Sequence, residues 1–147
     1  MDCKEYYYDL IGQISVYADN AVSFSQPFNE MRKHLAPADY TLTGSPLMTL
    51  KIKRDTGKLK ETLSTSVNGE SYEVTVTFEV EHVTAALYEK LDLLKKGFNH
   101  LILKSFPDNR MLVRSTEYAY RFEYKENDGN LQGEFTIQNL NGAQRVF

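Results

Sequence analysis

The sequence predicts a mainly β chain of the α+β kind: an antiparallel β-sandwich or barrel with a long protruding hairpin and one packed α-helix at about residues 84–96. Three observations predict it. Apolar and polar residues alternate strictly through "SYEVTVTFEVEHV" (residues 71–83). Asn-Gly and Asp-Gly pairs, which accept the backbone of tight hairpin turns, recur between apolar runs. The apolar period lengthens once, between Val83 and Phe98, to the spacing of a helix.

The first forty residues carry a weaker pattern. Ile14, Val16, Val22 and Phe24 share a parity, which predicts strand broken near Asp19-Asn20. "PFNEMRKHLAP", between Pro27 and Pro37, has room for a short helix, and "DYTLTGSP" is loop-like. Met48, Leu50 and Ile52 then alternate with Thr49, Lys51 and Lys53. Beyond "RDTG", Leu59, Leu63 and Val67 share a parity, with Glu61 and Thr65 between them. Residues 47–53 and 58–67 are expected to form the long hairpin, and "VNGE" a second tight turn.

In the next strand Tyr72, Val74, Val76, Phe78 and Val80 fall on one side, and Glu73, Thr75, Thr77, Glu79 and Glu81 on the other. One wet face implies an antiparallel sheet, because parallel strands are usually buried on both faces. Val83, Leu87, Leu91, Leu94 and Phe98 form one helical stripe, with Thr84 as N-cap and Gly97 as the stop. "NHLILKSF" reads as strand and "PDNR" as turn. A strand from Met111 to Tyr124 carries Tyr118, Tyr120, Phe122 and Tyr124 on one face. "ENDGN" turns it, residues 131–139 return, and "LNGAQRVF" closes the chain.

At 147 residues the chain fits one domain, residues 1–147, able to bury its own core. No apolar run approaches the ~18–20 residues a bilayer crossing needs, and "MDCKEYYYDLIG" is not a secretory signal. The single cysteine, Cys3, forms no internal disulfide or cysteine-based zinc site, which fits a reducing compartment. Seventeen Lys and Arg against twenty Asp and Glu make the chain acidic, so nucleic acid is not the expected main partner.

The motifs that could carry chemistry have simpler explanations. Asp55-Thr56-Gly57 is the catalytic triplet of aspartic proteases, whose carboxylates share a proton in an apolar surround. Here Lys53, Arg54 and Lys58 flank it and would hold Asp55 ionised, so a turn is the better reading. Aligning "ENDGN" with a calcium loop puts Tyr124 at the first ligand position, where it cannot serve. His34, His82 and His100 show no metal-ligand spacing, and no Gly-x-Ser-x-Gly elbow, phosphate loop or dinucleotide fingerprint occurs. An enzyme is not expected.

The distinctive feature is "KIKRDTGKLKE". Its five cations, Lys51, Lys53, Arg54, Lys58 and Lys60, stand against Asp55 and Glu61, a local balance of +3 within a chain of −3. Such a tip can be merely solvated, guarding a strand edge. It can bind phosphate, although the interleaved aromatics of a base-stacking surface are missing. It can also reach a neighbouring subunit, where Glu73, Glu79 and Glu81 of another copy offer the complementary charge.

The layout from Met48 to Gly142, and in particular "HLILKSFPDNRMLVRSTEYAYRFEYKENDGNLQGEFTIQNLNG", resembles tail structural proteins of tailed bacteriophages and prophages, either tail-tube or related minor tail proteins. The resemblance implies a sandwich or barrel subunit assembling into rings, often sixfold, with the long hairpin contacting the next ring. Lys51, Lys53, Arg54, Lys58 and Lys60, opposite Glu73, Glu79 and Glu81, would then be subunit-interface residues. It also implies no catalytic residue, no cofactor and no metal, a homo-oligomer with other tail proteins as partners, and residence in the virion after assembly in the host cytoplasm. The alternative is a monomeric β-sandwich binding module for carbohydrate or protein, using Tyr118, Tyr120, Phe122 and Tyr124 as an exposed platform. Four alternating aromatics on one face more naturally pack inward.

Overall fold

A computed structural model describes residues 4–9, 11–24, 34–35, 40–66, 69–81, 83–95, 99–105, 109–115, 120–127, 130–139 and 143–146. Within these, thirteen strands and one α-helix follow in the order β1 (Lys4–Asp9), β2 (Ile11–Ala18), a 3-10 turn (Asp19–Ala21), β3 (Val22–Phe24), β4 (His34–Leu35), β5 (Tyr40–Leu42), β6 (Met48–Lys51), β7 (Lys58–Ser66), β8 (Gly69–Val80), α1 (Ala85–Leu94), β9 (Asn99–Ser105), β10 (Asn109–Val113), β11 (Tyr120–Asn127), β12 (Asn130–Asn139) and β13 (Ala143–Val146). One sheet has the order β1-β7-β8-β12-β11, a second β4-β13-β10-β9-β2-β6, and β3 pairs with β5 alone. All pairings are antiparallel except the short β4–β13 pair.

The alternation in β8 sets the interior. Tyr72, Val74, Val76, Phe78 and Val80 are buried, and the last four meet Ile14, Leu50, Leu101, Leu103 and Val113 of the other sheet in a single core. Phe135 is its hub, with ring centroids 4.5 Å from Phe122, 5.8 Å from Phe78 and 6.1 Å from Tyr120. Gly133 on β12 stands opposite Phe78, and any Cβ there would strike the Phe78 ring. The glycine therefore makes room for the Phe78 ring.

The helix forms where its stripe and cap place it. The Thr84 hydroxyl accepts the Leu87 N–H at 3.2 Å, satisfying one donor of the first turn. Leu91 and Leu94 are buried, with Val83, Leu87 and Tyr88 packed against the same core. At its other end the Tyr120 hydroxyl donates to the Leu94 carbonyl at 2.8 Å, which ties the helix to β11. Gly97 and Phe98 lie outside the described residues.

Several expected elements differ. The hairpin joining residues 47–53 to 58–67 does not form: β6 pairs with β2, whereas β7 pairs with β1 and β8. The two segments share a period of two, but they belong to different sheets, and "RDTG" carries the chain between them. The hairpin that does form is β7–β8. Its register pairs Ser66 with Gly69, so Gly69 of the expected Asn-Gly pair lies in the strand; Val67 and Asn68 are outside the described residues. The strand expected from Met111 to Tyr124 is two, β10 and β11, again in different sheets. Leu112 and Val113 are both fully buried because β10 is covered on both faces, Leu112 packing with Val22 beneath the β3–β5 pair. That hides the alternation a half-wet strand would show. Where a short helix was expected between Pro27 and Pro37, His34–Leu35 are strand, and the rest of that segment lies outside the described residues. The break near Asp19-Asn20 is present as the 3-10 turn.

Candidate functional site

The basic stretch is built around a corner. Lys53 to Thr56 form a turn closed by the Thr56 N–H donating to the Lys53 carbonyl at 3.2 Å. Asp55, its third residue, has φ of 65°, the left-handed conformation that Asp tolerates better than most side chains. The Thr56 hydroxyl donates to the same carbonyl at 2.6 Å and accepts the Glu79 N–H at 3.2 Å, fastening the corner to β8. The Lys53 N–H reinforces this by donating to the Glu79 carbonyl at 2.8 Å. Gly57 lies against Ile11, where a Cβ would collide with the Ile11 carbonyl and sit 2.9 Å from its Cβ. Every residue of the Asp-Thr-Gly triplet thus has a task in making the corner, and Asp55 is exposed rather than held in an apolar surround.

The corner scatters the five cations. Lys51 is exposed on β6 of the six-stranded sheet, beside Gln13 of β2. Lys58 and Lys60 are exposed on β7 of the five-stranded sheet, opposite Thr77 and Thr75. Lys53 and Arg54 occupy the turn between the sheets. The acidic residues expected to meet these cations from another copy sit close by in the same chain: Lys53 Nζ is 3.9 Å from Glu79 and 3.8 Å from Glu81. Glu79 also accepts from Gln132 at 2.8 Å, and Glu73 from Gln138 at 3.3 Å. Arg54 stands 4.0 Å from its neighbour Asp55, both side chains largely in solvent, a contact of little energetic weight.

Beside the corner opens a cleft of about 920 Å³. Leu50, Ile52, Val80 and Leu87 form its apolar floor, and Lys51, Lys53 and Arg54 stand with Asp55 and Glu81 at its rim. β6 runs along it as the edge strand of its sheet.

A second cluster surrounds His100, which is 2% exposed. Its Nδ1 accepts the Ser115 backbone N–H at 3.0 Å, so the neutral ring carries its proton on Nε2 and donates to Asp19 at 3.0 Å. Burial lowers the imidazole pKa below its ordinary value, with Asp19 opposing that shift and Arg114 adding to it. Phe24 meets the ring edge-on at 5.5 Å, and the Arg114 guanidinium lies over Phe24 at 4.0 Å. Asp, His and Ser are the members of a hydrolytic triad, but the arrangement differs. The Ser115 hydroxyl donates to the Asn99 carbonyl rather than to the imidazole, and both ring nitrogens are engaged. The cluster fastens the 3-10 turn and β3 to β9.

The aromatic residues of β11 do not form a platform. Phe122 is buried, and Tyr120 and Tyr124 pack against the core. Tyr124 donates to Asp92 at 2.6 Å and lies under Lys95. Tyr118 is outside the described residues. Glu61, for which no role was legible in the sequence, is 4% exposed and accepts the Ala143 N–H of the opposite sheet at 2.7 Å. The signal was present in its parity, shared with Leu59 and Leu63. Among the described residues, no group of three His, Cys, Asp or Glu is placed to hold a metal, and no helix is long and apolar enough to cross a membrane.

No family model, curated protein or solved structure matches the chain.

Proposed function

We propose that the chain is a non-enzymatic virion structural subunit of a phage or prophage tail, assembling with copies of itself in the host cytoplasm and then with other tail proteins. The layout of residues 48–142 supports this reading, and one observation carries it. Among the described residues, β11 is hydrogen-bonded to β12 alone, leaving an eight-residue edge on the five-stranded sheet. An edge of that length presents a row of unpaired backbone groups, which a lone protein must guard and a ring subunit can use. Contact with a neighbour then runs along sheet edges, not through a protruding arm, because residues 51–61 turn a corner instead of forming one.

Sedimentation velocity over a concentration series, with electron microscopy of the most concentrated sample, tests this. The expected result is a discrete oligomer that images as rings or short tubes. A monomer at every concentration, with no ordered particles, would overturn it.

A further inference from the structure

We infer that the cleft beside β6 receives an extended segment of a second copy of this chain, and that the two copies meet head to tail. The inference rests on the self-assembly proposed above and assigns its contact surface.

Two features coincide at the cleft, and a third lies just outside its lining. Among the described residues β6 is an edge strand, paired with β2 alone, so its outer backbone groups can accept another strand. Leu50, Ile52, Val80 and Leu87 lie directly alongside as an apolar floor, able to take alternate side chains of an added strand. Leu47, immediately before β6, is 50% exposed, one of three large apolar side chains in the described residues that face solvent to that extent or near it. An apolar residue at the head of an open edge is costly in water and useful in a contact.

Charge selects the occupant. Lys53 is already met by Glu79 and Glu81, so the attraction of the rim for an incoming acid comes from Lys51 and Arg54. Outside Lys51–Glu61 the chain holds twelve cations and eighteen acids, a net of −6, so the remaining surface of a second copy supplies the complement. The same charges disfavour β6 pairing with β6, which would set Lys51 and Arg54 against themselves. An isologous dimer is therefore disfavoured at this edge, which points to a heterologous contact, the kind that closes into rings or runs on as tubes.

Sedimentation velocity on the wild type and on the Lys51→Glu/Arg54→Glu double variant separates the possibilities. Both side chains are exposed, so an unchanged thermal midpoint is the folding control. The expected result is a dissociation constant raised about tenfold or more in the variant. Because the variant keeps its other contacting surface, adding it to wild type should also cap growing assemblies and shorten them. A wild type that assembles, with a variant that assembles equally well or fails to shorten mixtures, overturns this inference and leaves self-assembly standing. A wild type that stays monomeric overturns both.

Discussion

Gly57 decides how closely two passes of the chain can approach. Its Ile11 N–H···O contact, at 3.3 Å, leaves no volume for a side chain, and the backbone of Ile11 cannot yield as a flexible side chain would. Gly57→Ala should cost about 1–3 kcal/mol, read as a lower urea midpoint with an unchanged slope. Two residues earlier, Asp55 holds a positive φ. A β-branched side chain suffers there, so Asp55→Val should cost about 1–3 kcal/mol. Asp55→Asn should stay within about 0.5 kcal/mol of wild type, as expected of an exposed turn residue. A large loss in the Asn variant would mean that the carboxylate itself matters, and would return the triplet to consideration as a functional group.

At the scale of elements, two polar contacts fasten parts of the chain that periodicity alone leaves loose. Tyr120 joins β11 to the last turn of α1, where helix carbonyls lack intrahelical partners. The Asn99 side-chain amide donates to the same hydroxyl at 3.2 Å. Tyr120→Phe should cost about 1 kcal/mol in a denaturation midpoint. Burial pushes the Tyr120 pKa up to about 12, from 10.0. The folded state thus favours the neutral phenol, and its contribution, complete below pH 10, is lost as pH rises from 10 towards 12. Tyr120→Phe should flatten that alkaline decline. The sign reverses for His100, a base whose folded pKa is lowered. Its neutral ring favours the fold above 6.5, and stability falls as pH drops through that value because the unfolded chain takes up the proton first. Thermal midpoints should decline on acidification below pH 6.5, and His100→Gln should reduce the slope.

At the scale of the whole molecule, the two main sheets share one core, so they should unfold together. Phe135 is fully buried and contacts rings on β8 and β11. Phe135→Ala should cost about 3–5 kcal/mol and leave a single transition monitored equally by fluorescence and circular dichroism. Two separated transitions would show that the sheets are energetically independent. Glu61 adds a polar tie across the same core through Ala143. Its burial explains why a strand read as Leu59-x-Glu61-x-Leu63 is not interrupted by a polar residue: the side chain accepts a backbone N–H at the start of β13.

Local pattern was sufficient for β8, β12, α1 and its Thr84 cap, because burial of one face imposes a period and an N-cap satisfies donors within four residues. It was also enough to show that Phe122 faces inward and that Asp55-Thr56-Gly57 turns the chain. The hairpins β7–β8 and β11–β12 were also legible from their Asn-Gly and Asp-Gly pairs, but which strands pair beyond such turns was decided only by the tertiary structure. Met48–Lys51 and Lys58–Ser66 have the same alternation and a good turn between them, yet the first pairs with β2, 32 to 38 residues away along the chain, and the second with β8, 3 to 19 residues away, in a different sheet. A period of two reports which face is buried and carries no information about the neighbour on either side. The five cations were legible as a cluster in sequence. That they part around a corner, and leave three of their number at an apolar cleft beside an edge strand, follows from the packing of one sheet on the other.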